Sequence, residues 1–236
     1  MRRLLSRFKF LSRAVHEGEH EHEHDHGERN NKYPMTEGGL CTTTSLTVWR
    51  KSLVISCKGG FTVIDSHGNL VYRVDNYILH PDEVTLMDAS GNSLLTMRHR
   101  RKKLGLVDSW FVYEGETGKL HIKRSKLGNL RKSPVCCVRK RVNILNGNSG
   151  VQACVYRVAP DSDDKGHAMF TVEGSYADRT CKVLDEYKKT VAEIKRKEAN
   201  SKDVSFGIEI FQLIVHPGFD PAFAMGLVLL LDQMFS

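Results

Sequence analysis

Between Pro221 and Leu231 no side chain carries a charge or a hydrogen-bonding group. Asp220 precedes this run and makes a good N-cap, because its carboxylate accepts from amides that the first helical turn leaves free. Pro221 suits the next position, where no amide partner is lost. The segment therefore reads as a helix that is apolar on every face, and such a helix has to be surrounded. A hydrocarbon layer of roughly 30 Å takes about 20 residues to cross. This stretch is too short for that and is expected as a buried helix at the centre of the fold. Everything before it reads as β-sheet, so the sheet is expected to wrap around it.

Hydrophobic residues make up 40% of the 236, enough for a substantial core. Six cysteines are scattered without CxxC spacing. The apolar stretch after Met1 is broken by Arg7 and Lys9, so no secretory leader is expected, and the thiols are expected reduced and mostly buried. The net charge of +7 is unevenly distributed: residues 98–141 hold fourteen Lys and Arg against three acids. One contiguous stretch is thus strongly cationic, which points to an anionic partner.

Residues 1–30 differ from the rest. Arg2, Arg3, Arg7, Lys9 and Arg13 stand without an acid before Val15, and Leu4, Phe8, Leu11 and Val15 fall at helical spacing. Such a segment suits an anionic membrane surface or an organelle address; the plainer reading is a disordered basic and His-rich tail. His20, His22, His24 and His26 alternate with acids. Imidazoles ligate transition metals, yet a flexible tract lacks the groups that orient them. No resident metal or other cofactor is expected.

From residue 31 to 236 the pattern is strands and turns. Phe61–Val74 reads as a hairpin around Gly68-Asn69, and Val84–Met97 repeats its layout, with Asp65, Gly68 and Asn69 matching Asp88, Gly91 and Asn92. A looser third copy runs from Phe111 through Gly118 to Ile122. Regular hairpins with apolar alternation indicate a meander that curls into a barrel or sandwich. Cys181–Lys197 fits either one helix face or two short strands around Tyr187-Lys188-Lys189, and periodicity alone does not decide.

Several segments together resemble the plant LURP-one-related family. They are Tyr33-Pro34, the run Leu46 to Leu53, Gly59 to Asp65, Val71 to Tyr77, Asp108 to Tyr113, Ser175 to Cys181, and the Asp220-to-Phe235 helix. The resemblance covers residues 32–236. That family is similar to the tubby C-terminal domain and to phospholipid scramblases. It implies a mainly β fold: a closed antiparallel barrel of about twelve strands around a central hydrophobic C-terminal helix. It also implies that 181–197 is a hairpin. For function it implies a membrane-tethered, defence-related regulator, with phosphoinositide binding in the tubby relatives. No Asp-rich calcium loop or transmembrane segment accompanies it, so lipid scrambling itself is not expected. Location is expected to be cytoplasmic, peripheral at the plasma membrane or nuclear, and the chain monomeric.

Strand parity sorts the basic residues. Leu95 and Met97 share one face, placing Arg98 and Arg100 on the other with Thr96. Leu120 and Ile122 leave Lys119 and Lys123 outside, and Cys136, Val138 and Val142 leave Arg139 and Arg141 outside. If these strands are neighbours, Arg98, Arg100, Lys119, Lys123, Arg139 and Arg141 form one external cationic face. Arg forks on such a face grip the phosphate oxygens of anionic phospholipid head groups. The alternative is a scaffold for an acidic protein, or a DNA-associated regulator using the same face. No basic helix with base-reading side chains supports nucleic acid. No GxSxG, HExxH or GxxxxGK[ST] motif supports catalysis. His99, His121, His167 and His216 are expected at the surface or in turns, and Trp49, Trp110 and Tyr113 as barrel packing residues.

Overall fold

Apolar residues alternate along short runs bounded by turn residues throughout the chain, and each run becomes a strand. The computed structural model describes residues 42–51, 60–75, 82–100, 109–116, 133–141, 151–158, 167–197 and 206–235. These hold twelve strands and one helix. They are β1 (Thr44–Lys51), β2 (Gly60–Ile64), β3 (Leu70–Asp75), β4 (Glu83–Asp88), β5 (Ser93–Arg100) and β6 (Ser109–Glu114). There follow β7 (Cys136–Lys140), β8 (Val151–Arg157), β9 (Phe170–Ser175), β10 (Thr180–Asp185), β11 (Thr190–Arg196), β12 (Ile210–Val215) and α1 (Pro221–Phe235). Each strand pairs antiparallel with its neighbours in sequence, and β1 pairs with β12 to close the barrel, Leu46 facing Leu213 and Val48 facing Phe211. All odd-numbered strands therefore run the same way.

The helix lies inside this wall. Every residue from Phe223 to Asp232 is buried. The cap works as the sequence implies: Phe223 N donates to Asp220 Oδ1 at 2.6 Å, and Ala224 N to the Asp220 carbonyl at 2.9 Å. Fifteen residues at about 1.5 Å each give a rod of about 22 Å, comparable to strands of five to eight residues. The wall supplies Leu46, Val48, Phe61, Val63, Leu86, Met97, Phe211 and Leu213 to the same core. Gly226 brings the rod close to β5, since a Cβ there would sit 3.1 Å from Leu95 Cδ1. Phe170, Phe219 and Phe223 cluster around the helix start with ring centroids 5.2–6.2 Å apart, Phe219 meeting both others edge to face.

The two repeated hairpins are β2–β3 and β4–β5, and their shared residues build the same turn. Asp65 Oδ1 accepts from the amides of His67 and Asn69 at 2.8 Å, while Gly68 takes φ +86°. Asp88 accepts likewise from Asn92 N at 2.8 Å, with Gly91 at φ +89°. These hydrogen bonds, from Asn69 and Asn92 first, hold both carboxyls below the usual carboxylate range. Residues 117–122 of the 111–122 repeat lie outside the described residues, but a further turn of this kind is present elsewhere. It joins β10 to β11, which settles 181–197 as a hairpin. Asp185 Oδ1 accepts from Tyr187 N and Lys189 N at 2.9 Å, and Lys188 occupies the glycine position at φ +63°.

Two packing expectations need correction. Trp49 is 48% exposed: Leu46 and Val48 take the inward positions of β1, so alternation turns Trp49 outward. His99 is in neither a turn nor an exposed position. It lies on β5, stacked on Trp110 with centroids 4.8 Å apart, its side chain 10% exposed and Nδ1 3.3 Å from Asp82 Oδ1. Trp110 itself is buried. Tyr113 is half-buried on the outer surface of β6. The four described cysteines, Cys136, Cys137, Cys154 and Cys181, are free and buried.

Two outcomes follow from this packing. Leu229 is fully buried, so Leu229→Asp loses an apolar contact of about 1.5–3 kcal/mol and buries an uncompensated carboxylate at a cost of several more; no cooperative melting transition should remain. Lys188→Gly relieves a left-handed residue, against which stands the greater freedom of glycine in the unfolded chain. Its exposed ion pair with Glu173, 3.6 Å, adds little. The denaturation midpoint should rise by the equivalent of about 0.5 kcal/mol, and a lowered midpoint would contradict the strain.

Candidate anion-binding rim

The end of the barrel at which α1 terminates is organised from inside by one buried carboxylate. Asp232, 1% exposed, follows the apolar run by one residue and faces β1. Arg50 Nε lies 3.0 Å from Asp232 Oδ1 and 3.1 Å from Oδ2, and Tyr176 donates its hydroxyl to Oδ1 at 3.0 Å. The Arg50 guanidinium also reaches Glu209 at 3.3 Å. Burial works against the Arg50 charge, but Asp232 and then Glu209 outweigh it and its pKa is raised. Burial, then the Asp232 charge, pushes the Tyr176 phenol well up, which keeps it a neutral donor. Arg179, from the turn joining β9 to β10, stacks on Tyr176 and Phe211 at 4.1 and 4.5 Å and donates to the carbonyls of Ile208 and Tyr176. On the opposite wall Lys140 donates to the Met234 carbonyl at 2.7 Å and lies over the Phe235 ring. Arg50 and Lys140 thus bring positive charge to the negative end of the helix dipole, where Asp232 alone would be disfavoured.

Outside the wall at the same end lie the arginines that parity selects. β5, β6 and β7 are consecutive in the ring. Arg100 pairs with Ser109, and Ser109 with Arg139. The two arginines therefore flank one small buried residue across two strand spacings, about 10 Å of backbone. Arg98 pairs with Phe111, two positions along the same face. Each guanidinium overlies an aromatic ring: Arg98 on Tyr113 at 6.0 Å, Arg100 on Phe111 at 5.8 Å and Arg139 on Tyr156 at 5.2 Å. Burial, then the Cys154 thiol, pushes the Tyr156 phenol up, while the charges of Arg139 and Arg141 pull the other way. A ring under a guanidinium adds a cation–π attraction that helps hold the side chain against the wall.

The structure thus brings Arg98, Arg100, Arg139 and Arg141 to one outer surface. Lys119 and Lys123 lie outside the described residues, as do His20, His22, His24 and His26. Sequence reasoning missed Glu83, whose carboxylate takes Arg98 Nε at 2.6 Å; its position opposite Arg98 is visible only once β4 and β5 are in register. It also missed the Arg50–Asp232–Tyr176 cluster. Among the described residues no group of three or more His, Cys, Asp or Glu is placed to hold a metal ion, and no helix is long and apolar enough to cross a membrane.

A closed twelve-strand antiparallel barrel threaded by its own C-terminal helix, with arginines lining one rim, defines a class of protein by architecture. The particular family is shown by comparison: the model of the LURP-one-related family matches residues 44–232, from the first residue of β1 to the buried Asp232, and the chain belongs to that family. Protein LURP-one-related 17 of Arabidopsis thaliana is 52% identical over 203 residues, covering 84% of this chain and 86% of that protein. Protein LURP-one-related 8 of the same plant is 43% identical over 211 residues, covering 86% and 95%. An X-ray structure of an Arabidopsis thaliana protein superposes with a TM-score of 0.52 at 24% identity, over 81% of this chain and 90% of that one, a likeness of fold.

The inner cluster makes a separable prediction. Arg50→Met leaves the Asp232 charge buried without its guanidinium and should cost about 3–5 kcal/mol in chemical denaturation. Adding Asp232→Leu should restore much of that loss, because no uncompensated charge then remains. Additive losses in the double variant would show that the two residues do not act as a pair.

Proposed function

We propose that the protein is a non-enzymatic LURP-one-related barrel that binds anionic phospholipid head groups, phosphoinositides foremost, and acts as a membrane-tethered regulator in plant defence. The regulatory and defence roles are carried over from the family. The lipid reading is supported by one observation above others: Arg98, Arg100 and Arg139 share an outer surface on three consecutive strands, each over an aromatic ring. Arg100 and Arg139 on either side of Ser109 suit a multiply charged head group, whose phosphates accept forked hydrogen bonds from both sides. Near an anionic leaflet each basic residue contributes about 1 kcal/mol, and Glu83 discounts the share of Arg98.

Flotation of the full chain with phosphatidylcholine vesicles, with and without phosphoinositide, tests this. Recruitment should require the anionic lipid and weaken as salt rises. Reversing Arg98, Arg100, Arg139 and Arg141 to Glu should reduce it at least about tenfold. Equal recruitment of the reversed variant would remove the arginine surface from the explanation, and retention by an acidic protein with no vesicle binding would favour the scaffold reading.

A further inference from the structure

We propose that the barrel docks end-on against an anionic bilayer, with Trp49, Phe206 and Ile208 entering the boundary between head groups and acyl chains. This rests on the phospholipid reading above and adds to it an apolar anchor on the opposite wall. The anchor follows from β1. Its alternation sends Leu46, Val48 and Arg50 inward and leaves Trp49 outward, 48% exposed. Its register partner is Ile210, and the ladder continues through Arg50 N donating to the Glu209 carbonyl at 2.8 Å. Just before β12, Phe206 is 37% and Ile208 48% exposed. Single exposed apolar side chains are ordinary, but several together on one edge mark a contact surface.

The edge is held rigid from below. Arg179, 5% exposed, donates to the Ile208 carbonyl at 3.1 Å, and Arg50 grips Glu209. It is also basic. Lys197 donates to the Thr47 hydroxyl at 2.7 Å, next to Trp49 on the same face of β1, and its ammonium lies 5.8 Å from the Phe206 ring. Lys51 is exposed beside it, as is Lys195, whose ammonium lies 3.1 Å from Glu193. Tryptophan with aliphatic tips and flanking lysines is the composition of membrane-interface anchors, in which the ring lies at head-group depth and lysine stems run along apolar surface toward the phosphates.

The shape of the partner follows from the topology. β1 and β7 lie six places apart in a ring of twelve, so Trp49 and Arg139 are on opposite walls. Odd strands run parallel to one another, so Trp49, Arg100, Arg139 and Lys197 all lie toward the same end. A small globular partner covers one wall or the other; an extended negatively charged plane meets both at once.

The test uses the full chain and its own tryptophans. Of the two, Trp110 is 3% exposed and serves as an internal reference. Vesicles of phosphatidylcholine with phosphatidylserine or phosphoinositide are prepared with brominated or ordinary acyl chains. Wild-type emission should shift to the blue on binding and be quenched by the brominated chains, and both effects should vanish in Trp49→Phe. Trp49→Ser with Ile208→Ser should weaken vesicle binding at least about tenfold while the thermal transition persists. Vesicle binding without quenching of Trp49, or unchanged binding by the double serine variant, overturns the anchor and leaves the arginine surface standing. Failure to bind any anionic vesicle, including capture only by an acidic protein, overturns both.

Discussion

Twelve strands enclose a cylinder too wide for the side chains of its own wall to fill, since about eight strands already reach that limit. The wall therefore depends on α1, and α1 in turn has no stable place outside the wall. This mutual requirement fixes everything else. It makes the inward positions of the strands apolar along the body of the rod and leaves inward charges, such as Arg50 and Lys140, to the rim where the helix ends. The one carboxylate carried in on the helix, Asp232, must meet its guanidinium at the rim. The Arg50–Asp232–Tyr176 contacts set how deeply and at what rotation the rod sits. Lys140 holds the Met234 carbonyl from across the ring.

Much of the fold was legible because it follows local rules. The cap at Asp220, the unbroken apolar run and the two glycine-bearing hairpin turns each state their geometry within a few residues. What was not legible depends on pairing across distance. Lys188 hid a turn that glycine would have advertised, because the Asp185 carboxylate supplies enough local hydrogen bonding to hold a lysine at positive φ. Asp232 carries no local signal of its role, because its partner Arg50 stands 182 residues away. His99 looked like a surface histidine until β6 placed Trp110 against it. Parity put Arg98, Arg100, Arg139 and Arg141 on the outer face correctly, yet could not reveal that Glu83 lies opposite Arg98.

The two ends of the barrel differ in construction. Among the described residues one carries tight Asp-initiated turns at Asp65, Asp88 and Asp185, whose carboxylates are spent on their own turns. The other gathers arginines and lysines around the tip of α1 and displays apolar side chains on β1 and before β12. A cylinder with unlike ends has a direction, and direction is what a protein needs if it is to meet a flat charged surface in one orientation.

The seam between β1 and β12 joins the first and last strands, and the rod that fills the interior is made after both. During translation, then, ten or more strands leave the ribosome before the element that lets them shut has been synthesised. Nascent chains of this design wait with their inner surfaces uncovered, a high contact order in its most literal form. Apolar inner faces left open between the emergence of β2 and that of α1 are the kind of surface that favours aggregation and that chaperones cover.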